Sequence, residues 1–369
     1  MRVGWFIAAA VCLFVLHSQV AGAEIVRKSA THAILAKKNL EHSLQRAQHL
    51  SQGRPNDPVA AQAVVDLLLM RLQFYRNYAD LDELATLCEP WRNDARAEAQ
   101  YLCADVDAAR HDFLSALERV ARAGKRGGNC AANQKRISAI GATLEVDLAK
   151  ALADTVVDEA PTSSYSSAVL AAAQATAQGD TAAAVEFYNQ AVANYGDVSP
   201  YPIAWAWYQS AELLKGQSPQ LAIDYYNEAL EYLPDYIAPR VELAALQIDM
   251  GDESAALKNL NFAAQRSDDP DIHALISRAL SASSAKASQP TSEESDRYLA
   301  KSLKGFDDLL ERHPFAFADH AAEVYLFADK VKVEKLRAML MNQKQRVAQV
   351  LKNWPDESCP RKAGTRTPQ

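Results

Sequence analysis

Glycine is scarce in this chain, 13 of 369 residues, and β-branched residues almost never alternate with polar ones. Without that alternation no half-buried strand can be assigned, and with alanine abundant the composition is that of an all-α protein. After the first two dozen residues no apolar run approaches the roughly 20 residues that a membrane-spanning helix needs. The mature chain is therefore expected to carry no transmembrane segment. A surplus of bases is also missing: 39 Lys and Arg stand against 46 Asp and Glu, a net charge of −7. With its bases scattered, such a chain offers no electrostatic footprint for nucleic acid. No two cysteines form a CxxC pair, so a zinc or dithiol redox motif has no support. No asparagine opens an Asn-x-Ser/Thr sequon, which favours a bacterial periplasm over a eukaryotic secretory route.

What the chain does have begins at its first residues, MRVGWFIAAAVCLFVLHSQVAGAE. Arg2, an apolar run from Val3 to Leu16 and the small residues Ala21-Gly22-Ala23 form the pattern of a secretory leader. Cleavage is expected after Ala23, giving an exported protein. Cys12 lies inside the apolar run rather than behind it, which speaks against a lipid anchor. The remaining length allows about two domains and a large core.

The stretch GQSPQLAIDYYNEALEYLPDY, Gly216–Tyr236, recurs. Ala222 matches Ala256 at an offset of 34 residues, where Gly251-Asp252 makes the turn and Ala256, Leu257, Leu260 and Ala263 repeat the small–large–small order. Upstream, Gly179-Asp180, Ala184, Val185, Phe187, Tyr188 and Ala191 repeat it again at an offset of 38, with the insertion placed in the Gly- and Pro-marked loop Gly196–Pro202. Each copy reads as two helices. The first has a small residue at its centre (Ala172, Ser210, Ala244), and the second carries alanine at each close crossing. Small residues let helix backbones approach, and the large neighbour fills the groove beside the crossing. Pro234 stops one pair and redirects the chain. A single pair cannot bury its apolar face alone, so the copies must stack.

These residues resemble the tetratricopeptide repeat family. The likeness covers Tyr165 to about Pro270 in three tandem copies, of which AWAWYQSAELLKG…LAIDYYNEALEYLP is the most specific. Gly196 and Asp268 stand where proline is usual, and Leu260 takes an aromatic slot. The resemblance implies an all-α, right-handed superhelical solenoid of antiparallel helix pairs. The expected organisation is a leader at 1–23, an N-terminal helical region at 24–160, repeats within 161–280, a polar linker at 281–295, a C-terminal helical capping unit at 296–354 and a disordered tail at 355–369. Asp57-Pro58 reads as an N-cap followed by proline at the first helical position, and Asp80/Glu83 have capping-box spacing. Helices are expected over 31–50, 95–109, 112–123, 131–158, 296–310 and 316–353.

Four cysteines follow the leader: Cys88, Cys103, Cys130 and Cys359. Alternating helices place Cys88 and Cys130 at one end of the layer, so a Cys88–Cys130 disulfide is the preferred pairing. Cys103 is then a buried apolar residue or a partner of Cys359.

Candidate chemistry is sparse. His42 and His49 share a helix face but lack the i, i+4 spacing metals favour, and they read as a solvated pair. His313 and His320 flank Pro314 and carry no helical-spacing argument. The basic loop GKRGGN, Gly124–Asn129, lacks the spacing that cradles phosphate and reads as solvated, with an anion or lipid headgroup as the alternative. Adjacent acids such as Asp307/Asp308 and Asp268/Asp269 do not face one another on a helix. No catalytic or cofactor site and no metal site is expected.

In this family the first helices line a groove that binds peptides. The stripe assigned to it here is Ala204, Trp207, Ala211, Leu214 and Lys215, with Val169, Ala173, Val241, Ala245 and Ile248 at equivalent positions. It is apolar, centred on Trp207, with Lys215 as its one base. The resemblance thus implies a non-enzymatic scaffold binding a peptide or helix of an envelope protein. The alternative is a carrier of a small apolar ligand in the same groove. Flanking helices that fill the groove and make Trp207 core are a further open reading.

Overall fold

The computed structural model describes residues 25–130, 132–133, 136–137, 140, 164–288, 292–326 and 328–354. Every regular element among them is helical and none is a strand. α1 (Ala33–Gln52) packs on α2 (Pro58–Tyr75). Asp57 caps α2, its carboxylate accepting from the Val59 and Ala60 amides, and Pro58 takes the first helical position. The capping box expected at the next helix does not form. In α3 (Ala79–Cys88) Asp80 lies inside the helix, 1% exposed, and its carboxylate takes Nε and Nη2 of Arg71 at 2.9 and 2.7 Å. An interior charge-assisted pair outweighs an exposed cap bond.

A 3-10 turn, Glu89–Trp91, leads to α4 (Ala97–Ala109) and α5 (Phe113–Lys125). Cys88 is bonded to Cys103, Cα atoms 5.2 Å apart, and not to Cys130 as expected. α3 has only 10 residues, so its C-terminal end reaches the middle of α4, where Cys103 sits, rather than a helix end. Cys130 is also disulfide-bonded. Most of the helix expected over 131–158 lies outside the described residues.

The repeats follow as three pairs: α6 (Tyr165–Ala177) with α7 (Thr181–Asn194), α8 (Pro200–Leu214) with α9 (Pro219–Tyr232), and α10 (Ile237–Asp249) with α11 (Glu253–Ala264). Gly179 and Gly251, at φ +75° and +83°, make the left-handed turns inside the first and third pairs. Asp180 and Asp252 cap the next helices through the Ala183 and Ala255 amides at 3.0 Å. The small residues at the crossings, among them Ala172, Ser210, Ala222, Ala244 and Ala256, are wholly buried. This is a helical-repeat architecture of consecutive packed pairs.

α12 (Pro270–Lys286) and α13 (Glu293–Arg312) run through most of the stretch expected to be a linker. Its serines explain the difference. The Ser277 and Ser281 hydroxyls lie 2.9 and 2.8 Å from the buried Ser295 hydroxyl, which donates to the Ser277 carbonyl. Local polarity is consumed in a helix–helix contact instead of being solvated. The single helix expected over 316–353 is two, α14 (Pro314–Tyr325) and α15 (Lys330–Lys352), with Asp329 capping the second.

The helices before the repeats and those after them share one core. Leu44, Val64, Val65, Leu68, Leu84 and Leu102 of α1–α4 pack with Phe306 of α13, Phe317 and Ala321 of α14 and Val333 of α15. α13 approaches the start of α12 so closely that a Cβ on Gly305 would lie 2.8 Å from Pro270 Cγ. A second core joins α1 and α2 to the repeats through Ala36, Leu40, Phe74 and Tyr75 against Tyr201, Ala204, Tyr236 and Ala238.

Candidate functional site: the inner face of the repeats

The first helices α8 and α10 turn toward α1 and α2. On α8 the facing stripe begins with Tyr201, Ala204, Trp205 and Tyr208, and Glu212 and Lys215 continue it at helical spacing. Phe74 at the end of α2 stands between Tyr201 and Tyr236, ring centroids 4.8 and 4.7 Å away. The hydroxyls of Tyr75 and Tyr201 meet at 2.8 Å. The chain's own α1 and α2 thus cover α8 and α10 at Tyr201, Ala204 and Ala238.

Further along α8 come polar side chains. Lys215 Nζ donates to Glu212 Oε2 at 2.8 Å and to Glu242 Oε2 at 3.1 Å, and the Tyr226 hydroxyl donates to Glu212 Oε1 at 2.5 Å. Burial, then the Glu242 charge, raises the Glu212 carboxyl above its ordinary range. Burial pulls the Lys215 ammonium down, but Glu242 and Glu212 together hold it above its usual value. Lys215 thus sits between Glu212 and Glu242.

The structure distributes the expected groove residues over two faces. Ala204, Trp207, Ala211 and Leu214 are wholly buried, and Val241 and Ile248 are buried too. Trp207 packs on Tyr225 at 5.6 Å between ring centroids, inside the core that joins the first two pairs. An apolar groove centred on Trp207 is therefore not open to a partner. Lys215, Ala245 and Val169 are half-buried and Ala173 is exposed. Three residues outside the expected stripe lie beside it: Tyr208 packs against the core shared with α1 and α2, and Glu212 and Glu242 hold Lys215. Their signal was one step away: Tyr208, not Trp207, continues the stripe from Ala204.

A cleft of about 670 Å³ lies where α1–α3 meet the α11–α12 turn and the end of α13, lined by Lys37, Arg71, Arg76, Tyr78, Arg266 and Arg312 among others. Each of these cations has a carboxylate: Arg71 has Asp80 and Glu41, Arg76 has Asp269 at 2.5 Å, Lys37 and Arg266 share Asp235, and Arg312 pairs with Asp82. Behind them His320 Nδ1 lies 2.6 Å from Asp271. Burial works against its proton, but the Asp271 carboxylate prevails and raises the imidazole to about 9. His313 Nδ1 accepts from Arg110 Nε at 3.1 Å, which leaves its Nε2–H to donate to Asp82 Oδ1 at 2.9 Å. Burial lowers this imidazole below its ordinary range. Both histidines hold helices together.

His42 and His49 are exposed on α1. Among the described residues no group of three or more His, Cys, Asp or Glu side chains could hold a metal ion, and no helix is long and apolar enough to cross a membrane. In the GKRGGN loop, Gly128 packs against Tyr101 and Ala123, and nearby Arg136 is taken by Asp105 at 2.7 Å while lying over the Tyr101 ring. No family model matches the chain, and no curated protein matches it in sequence.

Proposed function

We propose that the chain is an exported, non-enzymatic repeat scaffold of the tetratricopeptide class, a right-handed superhelix that holds a segment of an envelope partner protein. The segment lies against the part of the inner face that α1 and α2 leave uncovered. The observation that carries this reading is the Glu212–Lys215–Glu242 cluster, whose side chains keep 26%, 42% and 25% of their surface exposed at the edge of a covered aromatic half. Such a face offers a partner charge recognition beside an apolar shoulder at Ala245. The Cys88–Cys103 disulfide suits an oxidising compartment. The carrier alternative placed its ligand beside Trp207, and that side chain is buried in the inter-pair core.

The test is photocrosslinking in the native envelope with photoreactive residues in place of Lys215 and Ala245. A discrete protein adduct that disappears in the Glu242→Lys variant identifies the partner and supports the reading. Folded probes that give no protein adduct sink it.

A further inference from the structure

Residues 25–31 precede α1 as an extended segment and cross the second helices of the first two repeat pairs. Their polar contacts are to residues 165 to 204 positions away, so local folding does not dictate where they lie. The Tyr232 hydroxyl at the end of α9 accepts from the Lys28 amide and donates to the Lys28 carbonyl, both at 2.8 Å. Lys28 Nζ donates to the Ala193 and Tyr195 carbonyls at 2.9 and 2.5 Å, placing a cation on the negative end of α7. Arg27 Nε lies 3.0 Å from both oxygens of Glu228. Thr31 donates its amide to the Val198 carbonyl at 2.7 Å. Ile25, Val26 and Ala30 are only partly buried on the repeat core.

We infer that the edge formed by the ends of α7 and α9 is a binding site for an extended protein segment in which two apolar residues precede Arg-Lys, and that the chain's own residues 25–31 are its displaceable occupant. The site reads what a peptide ligand presents. One hydroxyl takes both polar groups of a backbone unit, a carboxylate takes a guanidinium, and helix-end carbonyls take an ammonium. Glu228 is an acid with 9% of its side chain exposed, and Arg27 is the base placed on it. Among the described residues it is Arg27, from outside the repeats, that answers this acid, and in the inferred site Glu228 selects a guanidinium. Beside the segment lies an open cleft of about 570 Å³ lined by Arg27, Lys28, Asn227, Glu228, Glu231 and Tyr232. There a competing segment can engage Glu231 before the resident one leaves. The resident is held by its tether, with half-buried apolar residues and an Arg27 side chain that is 74% exposed. Tethering supplies an effective concentration that a free segment must exceed. This site is separate from the inner face and does not rest on the reading proposed for it.

The test uses the full chain with Arg27→Ala and Lys28→Ala together, which frees the edge without shortening the protein. The probe is a fluorescein-labelled peptide of sequence IVRKSAT, read by anisotropy. The released chain is expected to bind it about tenfold or more tighter than the unsubstituted chain, and adding Glu228→Lys is expected to abolish binding. Three results overturn the inference. The first is a released chain that is folded by circular dichroism and does not bind the probe. The second is equal affinity for the released and unsubstituted chains. The third is an unsubstituted chain that elutes as a dimer and becomes monomeric on release, which would make the occupant a second copy's segment. Crosslinks at Lys215 and Ala245 report on the inner face alone, so either proposal can fail without the other.

Discussion

Trp207 shows how much one position matters. Its ring is wholly buried between two repeat pairs, and its Nε1 finds no acceptor among the described residues. Trp207→Ala is expected to destabilise by about 3–5 kcal/mol through the cavity it leaves, seen as a lowered denaturation midpoint. Trp207→Phe removes the unsatisfied donor together with part of the ring, so its cost should be far smaller. Equal losses would place the indole N–H in a bond that the structure lacks. The sequence pointed to this residue for a different task, and the reason is geometric. Successive helical residues are about 100° apart, and a first helix inside a stack is apolar on two faces, one toward the previous pair and one toward the inner surface. Periodicity marks both faces and does not say which is which. The run Tyr201, Ala204, Tyr208 belongs to one and Ile203, Trp207, Leu214 to the other, so a one-residue slip moved the expected site into the core.

At the scale of elements local chemistry carries more of the structure. Asp57-Pro58, Gly179-Asp180 and Gly251-Asp252 announce helix starts and turns by local chemistry, and the alanines recur at intervals fixed by pair packing. All of these lie in their expected roles. Ala222 tests the packing argument. It is wholly buried where α9 crosses its neighbours, so Ala222→Leu should destabilise by about 1–3 kcal/mol through overpacking. An unchanged melting temperature would refute the crossing. Elements whose character depends on distant partners carry no such local signal. The serines of 281–295 look like a solvated linker until Ser277 and Ser295 are seen to meet. Helix order alone pairs Cys88 with Cys130, because it ignores how short α3 is. Asp80 has the spacing of a cap, and Arg71, its partner on the preceding helix, leaves no local signature.

For the whole molecule the decisive contacts join helices far apart in sequence, and no periodic signal announces them. Arg76, in a left-handed conformation at the end of α2 (φ 44°), pairs with Asp269, which is 1% exposed. Asp269→Asn leaves a guanidinium without its counter-ion and is expected to cost about 3–5 kcal/mol, measured by denaturant unfolding. A loss below about 1 kcal/mol would mean that the pair is solvated. The His320–Asp271 contact adds a dependence on pH. Because the folded protein holds the His320 proton up to about 9, whereas the unfolded chain releases it near 6.5, the contribution is complete below about pH 6.5. It is lost as pH rises toward about 9. His320→Gln should flatten the fall in melting temperature over that window, and an unaltered slope would contradict the assignment.

The shared core of Leu68, Phe306 and Phe317 also bears on how such a chain can change in length. In an open array each pair touches only its neighbours, so copies can be gained or lost at little penalty. Here a further 34-residue copy inserted before Pro270 would carry α13 and α14 away from their seat on α2 and α3. The three described pairs are thus bracketed by a seam between α1–α4 and α13–α15 that contains no repeat.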